Sequence, residues 1–202
     1  MRNFAKLLLA LAATGLVAAC SQASGAGTGA SDEMALGNPK AKVTIVEYAS
    51  VTCPHCARFN EDVFPQLKAK YVDTGKVHYV FREFLTPPEQ VAAAGFLLAR
   101  CAGKDKYFSV VDAIFHSQQE MFSTGDVRGV LMRIGRGAGL TDDKVTACIA
   151  DEKALTALNS RLEKAVKEAE IHATPTFVIN GTKLEGEQTL AQFDAVIQPM
   201  LK

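Results

Sequence analysis

The sequence has no excess of charge of either sign. Its 22 Lys and Arg residues balance 22 Asp and Glu residues, so the formal net charge of the 202-residue chain is zero. Proteins that bind nucleic acid depend on a basic surface that attracts phosphates, so we expect no nucleic-acid partner. The sequence also contains no internal repeat. Its length suits one sizeable domain, or one domain that carries an insertion.

The chain also lacks an apolar run long enough to cross a membrane as a helix. Its most apolar stretch, from Leu7 to Ala19, would cover about 20 Å at ~1.5 Å per residue, whereas the hydrocarbon core of a bilayer is about 30 Å thick. The basic residues Arg2 and Lys6 precede this stretch. A short apolar run behind a basic start is typical of an export signal, so we predict a signal peptide over residues 1–19.

The end of the apolar run, Val17-Ala18-Ala19-Cys20, resembles the lipobox of bacterial lipoproteins. The resemblance implies cleavage before Cys20 and attachment of lipid to this cysteine. The alternative is an ordinary secretory signal with an incidental cysteine. Because Ser21 rather than an aspartate follows Cys20, the sorting rules of that class favour the outer membrane. We therefore predict a protein on the periplasmic side, anchored by lipid to a bacterial membrane.

Residues 20–35 are rich in Ser, Gly and Ala and show no hydrophobic periodicity. This composition predicts a flexible tether. We place the folded domain at residues 36–202.

Strand and helix patterns follow a definite order in this domain. Two β-rich apolar segments, 43–49 and 77–83, flank a helix that begins at the Cys-Pro-His-Cys segment 53–56, which predicts a parallel strand–helix–strand unit. Helical patterns follow over about 88–170, and Asn180-Gly181 then predicts a β-hairpin before a final helix. The order predicts an α/β protein with a thioredoxin fold and an inserted helical subdomain.

Three details of the helical regions are specific enough to compare with a structure. Pro65 interrupts the first helix and is predicted to kink it. The spacing of apolar residues predicts one helix from Tyr107 to Met121. Thr141 is predicted to cap a later helix.

Cysteines are few, and their number is odd. Lipid on Cys20 would account for the odd one, and it leaves Cys53, Cys56, Cys101 and Cys148 in a compartment where disulfides persist. A Cys-x-x-Cys pair such as Cys53 and Cys56 can bind metal, form a passive disulfide or exchange disulfides. Zinc would need two further Cys or His ligands at suitable spacing, and Cys101 and Cys148 stand alone, so we predict no metal site. A passive disulfide in so small a loop would be strained and would remove little chain entropy.

The position of this pair at a helix start favours exchange. Unpaired backbone N–H groups at the helix N-terminus stabilise a thiolate on Cys53, and Pro54 stands where a missing N–H costs nothing. A protonated His55 adds positive charge, and its imidazole can donate a hydrogen bond to sulfur. The helix dipole contributes ~0.3–1 kcal/mol and a hydrogen bond to a charged group ~1.5–3 kcal/mol, whereas one pKa unit corresponds to ~1.4 kcal/mol. We predict that Cys53 is the nucleophile and Cys56 the buried resolving thiol, with this pair as the redox group and no bound cofactor.

The segment from Val43 through Cys-Pro-His-Cys, together with the segment 173–177 (Ala-Thr-Pro-Thr-Phe), resembles the DsbA family of thiol–disulfide oxidoreductases. The resemblance covers residues 36–202. It implies a cis peptide bond before Pro175, close to the cysteine pair, and backbone groups of Thr174 that bind an extended substrate peptide. It also implies that Glu47 is a buried acid that exchanges a proton with Cys56. The alternatives are a trans Pro175 that starts a strand and a solvated Glu47.

The resemblance bears on the remaining cysteines as well. Some DsbA relatives carry a second disulfide in the helical insertion, which implies a structural bond between Cys101 and Cys148. The alternative is two buried free thiols that pack as small apolar side chains.

The resemblance implies an enzyme that introduces disulfides into reduced or unfolded exported proteins. Known isomerases of this type usually carry an additional N-terminal dimerisation domain, and the segment between Cys20 and Leu36 leaves no room for one, so we expect a monomeric oxidase. A membrane redox partner would reoxidise it. A site that stabilises a thiolate makes the corresponding disulfide a better oxidant. Thr174 before Pro175 also occurs in isomerases and reductases, so these activities are alternatives. A further alternative is a membrane-tethered chaperone for unfolded exported chains.

Overall fold

A computed structural model describes residues 32–202 of the chain. The predicted signal peptide over residues 1–19, the predicted lipidation site Cys20 and the tether up to residue 31 lie outside the described residues. Within residues 32–202, no helix is both long enough and apolar enough to cross a membrane.

The described chain is built around a five-stranded mixed sheet with the strand order β1-β3-β2-β4-β5. The strands β2 and β3 are parallel, and the other neighbouring pairs are antiparallel. The predicted parallel pairing of the two strands that flank the first helix is therefore confirmed, as is the hairpin at Asn180-Gly181. The bounds of the strands are β1 Met34–Gly37, β2 Val43–Ala49, β3 Val77–Glu83, β4 Thr176–Ile179 and β5 Thr182–Glu185.

The predicted tether ends too late, because strand β1 includes its last two residues. Residues 20–35 are predicted to be flexible, but Met34 and Ala35 belong to β1, which pairs with β3. Met34 is buried and lies opposite Phe81. The strand forms because its partner is far along the chain, and no local pattern in a segment rich in Ser, Gly and Ala indicates it. The folded part thus begins before residue 36.

The helix after β2 is irregular in the region where Pro65 lies. In the first π-helical turn, the N–H of Phe64 donates to the carbonyl of Phe59, five residues earlier. Pro65 follows at once and has no N–H with which to continue an α-helical pattern. The α-helix is thus interrupted on both sides of the short segment that contains Pro65, and the kink at this proline stays a prediction. The successive segments are α1 Pro54–Arg58, a π-helical turn Phe59–Val63, α2 Phe64–Leu67 and a second π-helical turn Lys68–Val72.

Six helices form the insertion between β3 and β4, close to the predicted range of 88–170. They are α3 Glu89–Cys101, α4 Lys104–His116, α5 Gln118–Thr124, α6 Val127–Gly137, α7 Asp142–Ile149 and α8 Glu152–Ala169, and α9 Leu190–Leu201 follows the hairpin. The prediction of one helix from Tyr107 to Met121 is wrong, because Ser117 has φ −95° and ψ 0° and separates α4 from α5. The predicted cap is confirmed, since the side chain of Thr141 accepts a hydrogen bond from the N–H of Lys144.

Apolar side chains form two buried clusters against the sheet. In one, Phe177 of β4 packs against Phe59 and against Phe193 of α9, with ring centroids 4.6 and 4.9 Å apart. In the other, Phe81 of β3 packs against helices of the insertion, including Tyr107 of α4. Burial of each large apolar side chain contributes about 1.5–3 kcal/mol. The second cluster also contains both cysteines of the Cys-Pro-His-Cys segment, so the insertion is packed against the candidate site.

A buried carboxylate at the end of β3 also ties the sheet to the insertion. Glu83 accepts hydrogen bonds from Nε of Arg100 at 2.5 Å, from the hydroxyl of Tyr107 at 3.1 Å and from Nε of Arg161 at 2.9 Å. Both arginines also pair with Asp32, just before β1. Removing one partner from a buried ion pair costs about 3–5 kcal/mol. The network therefore helps to fix α3 and α8 on the sheet.

A disulfide lies within the insertion. It joins Cys101 at the end of α3 to Cys148 in α7, with Cα atoms 5.9 Å apart and a sequence separation of 47. The pairing that the family resemblance implies is thus present. On the chain-entropy model, closing a loop of this length stabilises the fold by about 4 kcal/mol.

Candidate active site

The Cys-Pro-His-Cys segment lies where the buried strand β2 ends and α1 begins. A turn connects them, in which the N–H of Cys53 donates to the carbonyl of Ser50 at 3.0 Å. Cys53 is the N-cap of α1, with extended backbone angles of φ −84° and ψ 120°. Pro54 follows in the first turn, where a backbone N–H has no helical partner. Because β2 ends just before this turn, Cys53 lies at the N-terminus of α1, where the backbone N–H groups are unpaired.

The two cysteines of the segment are free thiols in the structure and differ strongly in environment. A hydrogen bond from Cys56 is the largest cause that lowers the pKa of Cys53, to about 5. Burial acts in the opposite direction and raises the pKa of Cys53. Hydrogen bonds from Thr174 and from the backbone N–H groups of Cys56 and His55 lower this pKa further. Burial raises the pKa of Cys56 well above its usual range, and its hydrogen bond to Cys53 adds to this effect. Cys53 is 6% exposed and Cys56 is fully buried. At neutral pH the pair is therefore a slightly exposed thiolate beside a fully buried thiol.

The loop before β4 lies against this pair. The peptide bond between Thr174 and Pro175 is cis, and Sγ of Cys53 is 3.4 Å from the carbonyl oxygen of Thr174. The loop is held in place because the carbonyl of Pro175 accepts a hydrogen bond from the N–H of Gly186 at 2.8 Å. The structure thus brings Thr174, Pro175 and the cysteine pair together. The use of Thr174 to bind substrate stays a prediction.

Glu47 is buried in the middle of β2. It is 3% exposed, and its Oε2 accepts a hydrogen bond from the hydroxyl of Tyr79 on β3. Burial raises the pKa of Glu47 to about 8, although the hydrogen bond from Tyr79 lowers it, and the charge on Cys53 raises it further. The charge of Glu47 in turn contributes to the raised pKa of Cys56. The solvated alternative for Glu47 is wrong, and the site contains a carboxyl group that can hold or release a proton near neutral pH.

The side chain of His55 differs from the prediction. The sequence allows its imidazole to donate to the sulfur of Cys53, but Nδ1 lies 2.5 Å from Oε1 of Glu187 and 2.6 Å from Nη2 of Arg58. The same carboxylate oxygen lies 2.6 Å from Nη2 of Arg58. His55 supports the Cys53 thiolate through its backbone N–H instead. The imidazole is directed to Glu187 because this carboxylate, brought by a distant loop, is a charged acceptor within its reach.

Several residues that contact the site give no signal in the sequence. Nε2 of Gln118 in α5 donates to the carbonyls of Val51 at 2.8 Å and Cys53 at 3.1 Å, and its side chain is buried. The hydroxyl of Thr52 donates to the carbonyl of Thr86 at 2.8 Å. Next to Thr86, the peptide bond between Pro87 and Pro88 is also cis. These partners lie tens of residues from the cysteine pair along the chain, so only the fold brings them to it.

The described part of the chain can be compared with the side-chain arrangements that hold metal ions. Among residues 32–202, no group of three or more His, Cys, Asp or Glu side chains is arranged to hold a metal ion.

A Cys-x-x-Cys pair at the start of the helix between two parallel strands, with a cis-proline loop against it, defines the thioredoxin class of proteins. A family model described as "Thioredoxin" matches residues 30–199. The chain therefore belongs to this family.

Individual relatives show to which members of this family the chain is similar. The chain is 32% identical to alpha-DsbA1 of Wolbachia pipientis, whose crystal structure superposes with a TM-score of 0.78 over 85% of this chain and 92% of that one. It is 37% identical to a Rickettsia bellii protein named as a protein-disulfide oxidoreductase, over 76% of this chain and 59% of that protein. The fold is also that of BdbD from Bacillus subtilis, at 20% identity, a TM-score of 0.70, and coverage of 84% of this chain and 92% of that chain. The chain is a DsbA-like member of the thioredoxin family, and it spans 59% of the length of its Rickettsia bellii relative.

Proposed function

We propose that this protein oxidises thiols in exported proteins by disulfide exchange at the Cys53–Cys56 pair. The observation that carries the proposal is the contrast between the two sulfurs. Cys53 has a pKa of about 5 and partial access to solvent, whereas burial raises the pKa of Cys56 far above neutrality. Such a pair has a defined order of reaction, because only one sulfur meets the substrate.

The electrons and protons balance in two exchange steps. A substrate thiolate attacks Sγ of Cys53 in the oxidised pair, so a mixed disulfide forms and the bond between Cys53 and Cys56 breaks. A second substrate thiolate then attacks the substrate sulfur of the mixed disulfide and releases Cys53 as a thiolate. The substrate loses two electrons and leaves with a disulfide, and the pair gains them. A membrane-bound oxidant would remove these electrons to restore the pair.

Oxidation is the favoured direction because the site stabilises the reduced form. A thiolate at Cys53 that is stable at neutral pH is a good leaving group, and its stabilisation makes the disulfide form more oxidising. The hydrogen bond from Cys56 and the backbone N–H groups at the start of α1 supply that stabilisation.

Glu47 takes the role of proton carrier in this proposal. When Cys56 is released in the first step, it becomes a buried thiolate, which its surroundings strongly disfavour. A carboxyl group with a pKa of about 8 is protonated at neutral pH and can supply the proton that Cys56 needs. On reoxidation the same group accepts that proton.

We further propose that the backbone of Thr174, beside Cys53, binds substrate in an extended form. This is supported by the contact between Sγ of Cys53 and the carbonyl of Thr174. We retain the proposal that the chain acts as a monomer, lipidated at Cys20 and held on the periplasmic side of a bacterial membrane. Incorporation of a radiolabelled fatty acid that is lost in Cys20→Ala would support the anchor, and no incorporation would reject it.

The activity is tested with a reduced, unfolded protein that regains activity only when its disulfides form. The oxidised protein should restore it, and Cys53→Ala should abolish the effect. The equilibrium of the pair with glutathione distinguishes the direction. A strongly oxidising pair supports the oxidase, whereas a thioredoxin-like value would favour a reductase. If Cys53→Ala/Cys56→Ala suppressed aggregation as well as the native protein and neither formed disulfides, a chaperone role would replace this proposal.

A further inference from the structure

Glu187 lies on the loop between β5 and α9, and this loop is fixed against the cis-proline loop. The N–H of the neighbouring Gly186 donates to the carbonyl of Pro175 at 2.8 Å. Nε2 of Gln188 donates to the carbonyls of Glu185 at 2.9 Å and Gly186 at 3.2 Å. The loop therefore holds Glu187 in a defined place beside the cysteine pair, although 132 residues of sequence separate Glu187 from His55.

The carboxylate of Glu187 binds two side chains of the active-site helix. Its Oε1 lies 2.5 Å from Nδ1 of His55 and accepts from Nη2 of Arg58 at 2.6 Å, and Nη2 of Arg58 is also 2.6 Å from Nδ1 of His55. Although partial burial opposes it, these two donors hold the pKa of Glu187 below its usual range. The side chains of His55 and Arg58 are about half exposed, so solvent as well as Glu187 competes for them. The cluster links α1 to the loop after β5.

This contact fixes the direction of the imidazole. Nδ1 of His55 lies within 2.6 Å of both Glu187 and Arg58, so this ring nitrogen is not available to the sulfur of Cys53. The groups that lower the pKa of Cys53 are Cys56, Thr174 and backbone N–H groups, and the His55 imidazole is not among the principal causes. A hydrogen bond from a ring N–H to a thiolate is charge-assisted and is therefore one of the stronger contacts that a cysteine can gain.

We propose that Glu187 is a positioning residue that holds the His55 imidazole away from the Cys53 sulfur and thereby limits the oxidising power of the cysteine pair. The inference rests on the proposed exchange function. Loss of the Glu187 carboxylate frees the imidazole to turn to the sulfur, which stabilises the thiolate and shifts the pair towards its reduced form.

The test compares Glu187→Ala with Glu185→Ala in the full chain. Glu185 is an exposed acid two residues away on the same hairpin and is not part of the cluster, so its variant controls for the loss of one negative charge near the site. Two quantities are measured in each protein: the equilibrium constant of the pair with glutathione, and the titration of the Cys53 thiolate by ultraviolet absorbance.

We expect Glu187→Ala to shift the glutathione equilibrium several-fold towards reduced protein and to move the thiolate titration to lower pH. Glu185→Ala should match the native protein. The same comparison in a His55→Ala background isolates the route of the effect, since a contribution that passes through His55 disappears when the imidazole is absent.

Two results would overturn the inference. One is a Glu187→Ala variant with the native equilibrium and titration. The other is a shift of equal size in the presence and absence of the His55 imidazole, which would assign the effect to the charge of Glu187 alone. If the native protein itself failed to equilibrate with glutathione, the proposed exchange function would fail instead, so the two failures are distinguishable.

Discussion

The phenol of Tyr79 donates a hydrogen bond to Oε2 of Glu47, and both side chains are buried. Tyr79 is on β3 and Glu47 on the neighbouring parallel strand β2. Burial favours the neutral carboxyl group, whereas a phenol donor favours the carboxylate. The pKa of about 8 for Glu47 results from burial, which raises it, and from Tyr79, which lowers it.

Tyr79→Phe should raise the pKa of Glu47 further, because it removes the donor and retains the ring. The pH dependence of disulfide exchange that follows Glu47 should then move to higher pH. Exchange rates measured across neutral and alkaline pH test this. Tyr107→Phe is the matched control, since its hydroxyl is also buried but binds Glu83. Identical pH profiles for both variants and the native protein would remove Tyr79 from the proton pathway.

Glu47→Gln should change the pH dependence of stability. The pKa of Glu47 rises from an ordinary value of 4.5 to about 8 on folding. Between these values the unfolded chain releases a proton that the folded protein retains, so Glu47 destabilises the fold increasingly as pH rises from 4.5 to about 8. We expect the free energy of unfolding of the variant, relative to the native protein, to increase over this window. Denaturant unfolding of the reduced proteins at pH 5 and pH 8 measures it, and an equal difference at both pH values would contradict the raised pKa.

Alkylation should label Cys53 before Cys56 in the reduced protein. The pKa of about 5 makes Cys53 a thiolate at neutral pH, whereas Cys56 stays a buried thiol. The rate of labelling should rise with pH around a midpoint near 5. Mass spectrometry of the labelled peptides identifies the reactive residue. Faster labelling of Cys56 at acidic pH would reverse the assignment of nucleophile and resolving thiol.

The lowered pKa of Cys53 has a consequence for stability as well. The pKa falls from an ordinary value of 9.0 to about 5 on folding, so the thiolate stabilises the reduced protein fully above pH 9 and this contribution is lost as pH falls towards 5. Reduced native protein should therefore gain stability relative to Cys53→Ala as pH rises through this window. A constant difference in the free energy of unfolding would argue against a stabilised thiolate.

Gln118→Ala should destabilise the active-site turn. The side chain donates to the carbonyls of Val51 and Cys53, and the loss of hydrogen bonds to buried groups costs about 1–3 kcal/mol. We expect a loss of this size in the free energy of unfolding, together with slower exchange. Gln119→Ala removes the same type of side chain from an exposed position next to it. Equal stability of the two variants would show that the contacts of Gln118 contribute nothing.

Replacement of both Cys101 and Cys148 by Ala should lower stability and spare the chemistry. Loss of the disulfide is expected to cost about 4 kcal/mol on the chain-entropy model. Thermal unfolding of the variant and of the native protein, with exchange rates measured well below both transitions, separates the two effects. If exchange were lost while the fold stayed intact, the bond would have a role in the chemistry and not only in stability.

The order of strands and helices could be predicted from local patterns. The bounds of β2 and β3 are those expected from their apolar runs, and the hairpin forms at Asn180-Gly181. Strand β1 could not be predicted from the sequence, because its own residues have no alternating pattern and the strand is stabilised by pairing with β3, far along the chain. The division of α4 from α5 at Ser117 likewise leaves no mark on the apolar spacing of residues 107–121.

The sequence by itself determined which chemistry is proposed for the site, because that proposal depends on residues adjacent along the chain. Two cysteines separated by two residues, with a proline after the first and a helix that begins there, favour a redox pair over a metal site or a passive disulfide. The tertiary structure decided how the pair is tuned. The site is contacted by three residues from distant segments, namely Tyr79 of β3, Gln118 of α5 and Glu187 of the loop before α9. The imidazole of His55 contacts the carboxylate of Glu187 and not the sulfur of Cys53. Hydrogen bonds and burial between distant segments set these pKa values and directions, and neither can be read from neighbours in sequence.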